Sequence, residues 1–272
     1  MKITFQSAFI TGSSRGLGRA TAVKLAQEGV GKIAVHYHTR REEAEKTAAL
    51  VRDAGGAAVL VQGDTSDAKR AEEIVGEAAD KLGGCDIFIQ SVVPTLDQIY
   101  EHTLATEVPL SKWQMAYDTQ ARAFFLGAPA AAKHMTRGGR IIALSYTPGG
   151  VTGGWQPWIG MGSAKAALES MCRYFAVALG RQGVTVNAIS PGVSDETTVI
   201  GQTPPEVQSA LKAWALAGWT PMRRSVSPCD IANACALLCS EEASFVTGQT
   251  IAVDGGSSLM NPDFPLALQV PK

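Results

Sequence analysis

The chain has 272 residues, with 24 basic against 25 acidic side chains and a net charge of −1. That balance excludes the basic excess on which nucleic-acid and anionic-membrane partners depend, and points to a small-molecule substrate. Five cysteines (Cys85, Cys172, Cys229, Cys235, Cys239) form no C-x-x-C pair and no secreted framework, so reduced, packed thiols in a soluble cytoplasmic protein are expected.

The apolar part of MKITFQSAFITG is too short for a signal peptide, and no run approaches the roughly 20 apolar residues of a membrane span. Ser7 to Thr11 reads as a short strand. The glycine-rich TGSSRGLG (Thr11 to Gly18) follows at once, and a helical pattern then runs through Leu25. Strand, glycine turn and helix N-terminus together build a phosphate cradle from backbone N–H groups and the helix dipole. Gly12 permits the tight turn, Gly16 lets the backbone approach a pyrophosphate, and Gly18 lets helix and strand pack closely.

The next strand, Lys32 to His36, leads into His38, Arg40 and Arg41, with no carboxylate before Glu42. An acidic residue here would hold a ribose 2′-hydroxyl, whereas cations suit a 2′-phosphate. Arg15, His38 and Arg40 could bracket that phosphate, so NADPH is favoured over NADH. His36 and His38 could share a strand face, but no third ligand is visible and no metal site is expected.

Arg41 to Ala54 is an amphipathic helix, Ala57 to Gln62 a strand, and Asp64 opens the turn after it. Asp64 could accept from an adenine amino group or simply cap its turn; both readings stand. Ala68 to Leu82 reads as a helix and Ile87 to Gln90 as a strand, with Ser91 at its carboxyl edge. Ser111 to Met135 is a long helix containing Gln120. Ile141 to Leu144 is an apolar strand, and a glycine-rich loop follows it to an alanine-rich helix from Ala164 to Leu179. Thr185 to Ser190 and Thr250 to Val253 complete the strands.

This alternation predicts an α/β fold with right-handed parallel crossovers, a doubly wound sheet with helices on both faces, and one domain over residues 1–272. The segment 193–222, bearing Trp214 and Trp219, reads either as a substrate-covering lid or as a packed connector. The proline-punctuated tail, 257–272, is expected to dock on its own chain or a neighbour.

With these motifs in place, the chain resembles the short-chain dehydrogenase/reductases over nearly its whole length. The marks are TGSSRGLG, GDTSD (Gly63 to Asp67), SAKAALE (Ser163 to Glu169), VNAISPG (Val186 to Gly192) and VDGG (Val253 to Gly256). The resemblance implies a Rossmann-type sheet, a nicotinamide cofactor across the carboxyl ends of the strands, and usually a tetramer. Carried onto matching positions, it implies cofactor contacts from Gly12, Ser14, Arg15, Gly16, Leu17, Gly18, Asp64, Thr65, Ser91, Lys165, Pro191, Gly192 and Val193. Lys165 would hold the nicotinamide ribose, and Val193 the carboxamide.

The family pattern also places a Tyr four residues before the lysine, a Ser after the preceding strand and an Asn in the long helix. Here those positions carry Met161, Tyr146 and Gln120. The loop is similar instead to that of the enoyl-acyl-carrier-protein reductases, through LSY (Leu144 to Tyr146), MGSAKAALE, RYFAVALG and TPMRR. Seven residues before the lysine, where that branch has its Tyr, stands Trp158.

Ketone reduction creates an alkoxide that must be protonated on oxygen, and indole N–H is no useful acid. Enoyl-thioester reduction creates an enolate, which needs mainly a donor at oxygen. Trp158 or Tyr146 could serve, and each could equally be pocket packing. The expected activity is NADPH-dependent reduction of the conjugated C=C bond of an enoyl thioester on CoA or acyl carrier protein, as in reductases of the 1-cyclohexenylcarbonyl-CoA type. Two rivals remain: a carbonyl or imine reductase using Tyr146 as acid, and a non-redox NADP-binding scaffold or cyclase.

Overall fold

The computed structural model describes residues 1–146, 156–194 and 205–260. Its elements are β1 (Ser7–Ile10), α1 (Gly16–Gln27), β2 (Lys32–Tyr37), α2 (Arg41–Asp53), β3 (Ala57–Gln62), α3 (Ala68–Leu82), β4 (Ile87–Gln90), α4 (Leu96–Ile99), α5 (Leu110–Tyr117), α6 (Ala123–Ala132), β5 (Gly139–Leu144), α7 (Ile159–Leu179), β6 (Val184–Pro191), α8 (Pro205–Trp214), α9 (Pro228–Cys239) and β7 (Thr250–Val253).

Among the described residues the strands form one parallel sheet in the order β3-β2-β1-β4-β5-β6-β7. This is the doubly wound Rossmann-type arrangement that the alternation of elements predicts. Successive strand residues bury on opposite faces, because side chains alternate across a sheet. Phe9, Phe88 and Ile141 pack with Phe124 and Leu168 on one face; Ile10, Ile89 and Ile142 pack with Leu25 and Ile231 on the other. Both faces are therefore hydrophobic, which is why these strands read as continuous apolar runs.

Two departures from the predicted elements shape the site. The long helix is interrupted by a π-helical turn at Asp118–Arg122, between α5 and α6. Such a turn inserts an extra residue and changes which side chains face a neighbour. The helix carrying Lys165 starts at Ile159, five residues before the alanine-rich pattern begins. Gly160 and Gly162 lower intrinsic helix propensity there, but packing overrides it. A Cβ on Gly160 would lie 3.2 Å from Ala116 Cβ and 3.3 Å from Trp113 Cα, so glycine allows α5 and α7 to approach closely. Trp113 then donates its indole N–H to Ser163 Oγ at 3.0 Å.

No helix among the described residues is long and apolar enough to cross a membrane.

Candidate active site

The order of strands reverses between β1 and β4, and a ligand crevice is expected at the carboxyl ends there. A cavity occupies that place. It is lined at one end by the glycine loop and the ends of β2 and β3, and at the other by Tyr146, Trp158, Met161 and Lys165.

At the dinucleotide end, Gly12 has φ +65°, and a Cβ on it would sit 2.9 Å from Val92 Cα. A Cβ on Gly18 would meet Gly12 O at 2.6 Å. Both contacts are with backbone, so both glycines are required by space, and Gly12 by its left-handed turn as well. Helices α3 and α9 cap their own N-termini with Asp67 and with a Ser227–Asp230 box. Helix α1 has no side-chain cap and no acidic residue in its first turn. Its first N–H groups lie beside Gly16 and Leu17 in the cavity wall, an arrangement that fits a dinucleotide pyrophosphate.

Arg15 and Arg40 both line the cavity beyond this loop. Burial lowers the proton affinity of Arg15, and the like charge of Arg40 lowers it further. Two guanidinium groups that repel one another form a place for a dianion. His38 is more exposed, with Nε2 3.9 Å from the Asp64 carboxylate. Asp64 Oδ1 accepts from Ser66 N–H and Ser66 Oγ, each at 2.8 Å, so the turn-capping reading is realised. Thr65, Ser91, Pro191, Gly192 and Val193 also line the cavity, as does Ser14.

The sequence assigns His36 no part, and the structure gives it one. Its Nδ1 accepts from Gly12 N–H at 3.0 Å, so the ring proton sits on Nε2, which is 3.1 Å from Gly63 O. The ring ties the glycine loop to the end of β3. Burial lowers its pKa to about 4, which keeps it neutral and able to accept. Thr11 is a second unpredicted support: its hydroxyl accepts from Ser91 N–H at 3.0 Å across the β1–β4 switch point. Only the partners across the sheet reveal either role.

At the other end, Lys165 is 3% exposed and donates to Leu144 O at 2.6 Å. Desolvation lowers its pKa to about 7, opposed by the charge of Glu169. Tyr146 packs with Trp158, Met161, Ile99 and Met115 in a small apolar cluster. Burial pushes its phenol up to about 12, so at neutral pH it is a hydrogen-bond donor. Trp158 is buried, with its ring edge-on to Tyr100 at 5.8 Å.

Gln120 is the one predicted site residue that does not line the cavity. It is fully buried, donating to Ala116 O at 3.0 Å, with Nε2 3.1 Å from Met161 Sδ. The π turn leaves Thr119 on the cavity wall and sets the Gln120 amide against Met161, so Gln120 does not itself line the cavity. The segment 193–222, read either as a lid or as a packed connector, is described only in part. Val193 and Ser194 line the cavity, 205–222 does not, and 195–204 lies outside the described residues. Trp214 and Trp219 stack on each other at 6.1 Å, while Thr220, Pro221 and Met222 pack on Gly255 and Gly256. The glycine-rich loop at 147–155 and the tail at 261–272 are likewise outside the described residues.

Residues 12–258 match the family model described as enoyl-(acyl carrier protein) reductase. The chain is 34% identical over 268 residues to the 1-cyclohexenylcarbonyl-CoA reductase of Streptomyces collinus, covering 95% of this chain and 89% of that one. It is 32% identical to the 3-oxoacyl-[acyl-carrier-protein] reductase of Staphylococcus aureus, covering 94% and 99%. A short-chain dehydrogenase/reductase structure from Serratia marcescens superposes with a TM-score of 0.83 at 28% identity, covering 95% and 100%. A switch-point crevice with an open helix N-terminus and a buried lysine thus meets sequence likeness along the whole chain: it belongs to the short-chain dehydrogenase/reductase family, as an enoyl-reductase-like oxidoreductase that uses a nicotinamide dinucleotide.

Proposed function

We propose that the protein reduces the conjugated C=C bond of an enoyl thioester, carried on CoA or acyl carrier protein, with NADPH. The observation that carries this reading is Met161. It lines the cavity at the position where the family pattern has its tyrosine acid, and a thioether has no proton to give.

NADPH, when bound, supplies the hydride. A hydride delivered to the substrate β carbon would push the C=C electron pair toward the carbonyl and leave an enolate with its charge on the thioester oxygen. Tyr146 and Trp158 are the candidate donors to that oxygen, an oxyanion role worth about 3 kcal/mol per donor. A phenol held near 12 by burial suits donation without proton loss. The proton for the α carbon comes from solvent, so no acid is required at the site of Met161. Lys165 would hold the nicotinamide ribose hydroxyls and add positive charge near the enolate. The Arg15–Arg40 pair supports NADPH over NADH. The likeness to a 1-cyclohexenylcarbonyl-CoA reductase extends the acyl group to bulky or cyclic forms.

A carbonyl reductase is the second reading, favoured by the likeness to a 3-oxoacyl reductase; Tyr146 would then be its acid. Mixing the protein with NADPH and crotonyl-CoA, 1-cyclohexenylcarbonyl-CoA or a 3-oxoacyl thioester in turn, while following absorbance of the reduced nicotinamide, separates the two. Turnover of enoyl thioesters is expected. Turnover of ketones alone, abolished by Tyr146→Phe, would overturn the proposal. The tetramer implied by the resemblance would cover exposed apolar side chains such as Phe125, Tyr174, Val177 and Phe245, and the mass in solution tests it.

A further inference from the structure

Lys165 and Glu169 stand one turn apart on α7, so their side chains leave the same face of the helix. They grip consecutive residues at the end of β5. Lys165 Nζ donates to Leu144 O at 2.6 Å, and Ser145 Oγ donates to Glu169 Oε1 in a very short contact. Ser145 is 6% exposed, and its own N–H is spent on Ile189 O of β6 at 2.7 Å. The next residue is Tyr146. The two clips therefore hold both the lysine and the backbone from which the tyrosine projects. Ser145 and Lys165 line the cavity, whereas Glu169 does not; it lies behind them.

The charges around the lysine are few. Helix α7 supplies Glu169, with the buried thiol of Cys172 and the guanidinium of Arg173 on the turn beyond it, and the end of β5 supplies the neutral phenol of Tyr146. Strand β6 and helix α6 carry no ionisable side chain. The π turn carries Asp118 and Arg122, paired with each other at 2.9 Å, and α5 carries Lys112, paired with Glu101 at 3.2 Å. Arg140, at the other end of β5, turns to Gly139 O and Ser240 O. Glu169 is the one charge among the described residues that acts on the lysine, and it opposes the desolvation that would strip its proton.

We infer that Glu169, fixed by Ser145, is a positioning residue that favours the charged form of Lys165 and sets the end of β5 that presents Tyr146. The inference rests on the reading of Lys165 as ribose anchor and charge, and not on which double bond is reduced. A carboxylate outside the cavity thus sets the pH range over which the site works.

The test compares wild type, Glu169→Gln and Ser145→Ala as full-length proteins. Two readouts are taken between pH 6 and 9: NADPH affinity from its fluorescence, which needs no acceptor, and kcat with crotonyl-CoA. Gln at 169 keeps an acceptor for Ser145 but removes the charge. The alkaline limit of both profiles is expected to move about one pH unit toward acid, so that affinity at pH 8 falls up to about tenfold while affinity at pH 6 falls only about twofold. Ser145→Ala, which leaves the carboxylate but frees it, is expected to give a smaller move in the same direction. It serves alone if Glu169→Gln does not fold. A uniform loss at every pH, or profiles superimposable on wild type, would overturn the inference. Absence of turnover with crotonyl-CoA in wild type would count against the enoyl reading only, because the binding profiles still report on Glu169.

Discussion

Replacing Lys165 with methionine should make the protein inactive and, near neutral pH, more stable. In the folded chain the lysine pKa falls from 10.5 to about 7 because the group is buried. Between those values the unfolded chain holds a proton that the folded chain does not, so stability rises with pH across that window and falls as pH drops toward 7. Each tenfold change in proton affinity is worth about 1.4 kcal/mol, so the full cost below pH 7 is about 5 kcal/mol as an upper figure. Between pH 6.5 and pH 9 the same relation gives a gain of about 2.5 kcal/mol. Methionine conserves much of the apolar stem and removes the titration. It also leaves Leu144 O without its donor, at a cost of about 1–3 kcal/mol, so the net gain near neutrality is about 2–4 kcal/mol. Urea unfolding of both proteins at pH 6.5 and pH 9 reads these quantities. Wild type should gain stability with pH more steeply than Lys165→Met, by about 2.5 kcal/mol over the interval. Equal slopes would refute the argument, since they would mean that the lysine keeps its ordinary proton affinity in the folded chain.

Gly18→Ala should abolish dinucleotide binding, because the new methyl group meets Gly12 O at 2.6 Å and Ser13 Cα at 2.9 Å; a retained NADPH affinity would show that the loop yields. Arg15→Ala should weaken NADPH by about 10–100-fold while leaving NADH affinity nearly unchanged, and equal losses for both would remove the 2′-phosphate assignment. His36→Ala should weaken NADPH and NADH alike, with Gln at this position restoring part of the loss through its acceptor; isothermal titration distinguishes this from the Arg15 pattern. Cys229 is the exposed cysteine, while Cys85, Cys172, Cys235 and Cys239 are buried, the last with its thiol held well above its ordinary pKa by desolvation. One thiol per chain should therefore react rapidly with a disulfide reagent under native conditions, and the remaining four only on unfolding.

The parallel sheet, its crossovers and the phosphate cradle were legible in the sequence because each depends on local signals: apolar runs, glycine spacing and the helical pattern that follows the glycine turn. Arg15 and Arg40 stand out by their places in the glycine loop and after a strand, whereas Lys165 and Val193 come from the family resemblance. Only the tertiary structure decided which side chains support them. His36 joins Gly12 to Gly63, and no pattern in HYHTRR announces that both ring nitrogens are spent on other strands' loops. Gln120 looked like a cavity residue until the π turn placed Thr119 there and set its amide against Met161. Helix α7 begins at a glycine pair of low propensity because α5 needs the room. Sequence by itself thus determined a nicotinamide-dinucleotide crevice and the loss of the tyrosine acid. Tertiary structure decided how burial and one carboxylate poise the remaining lysine, since proton affinity depends on contacts between segments that periodicity and spacing do not register.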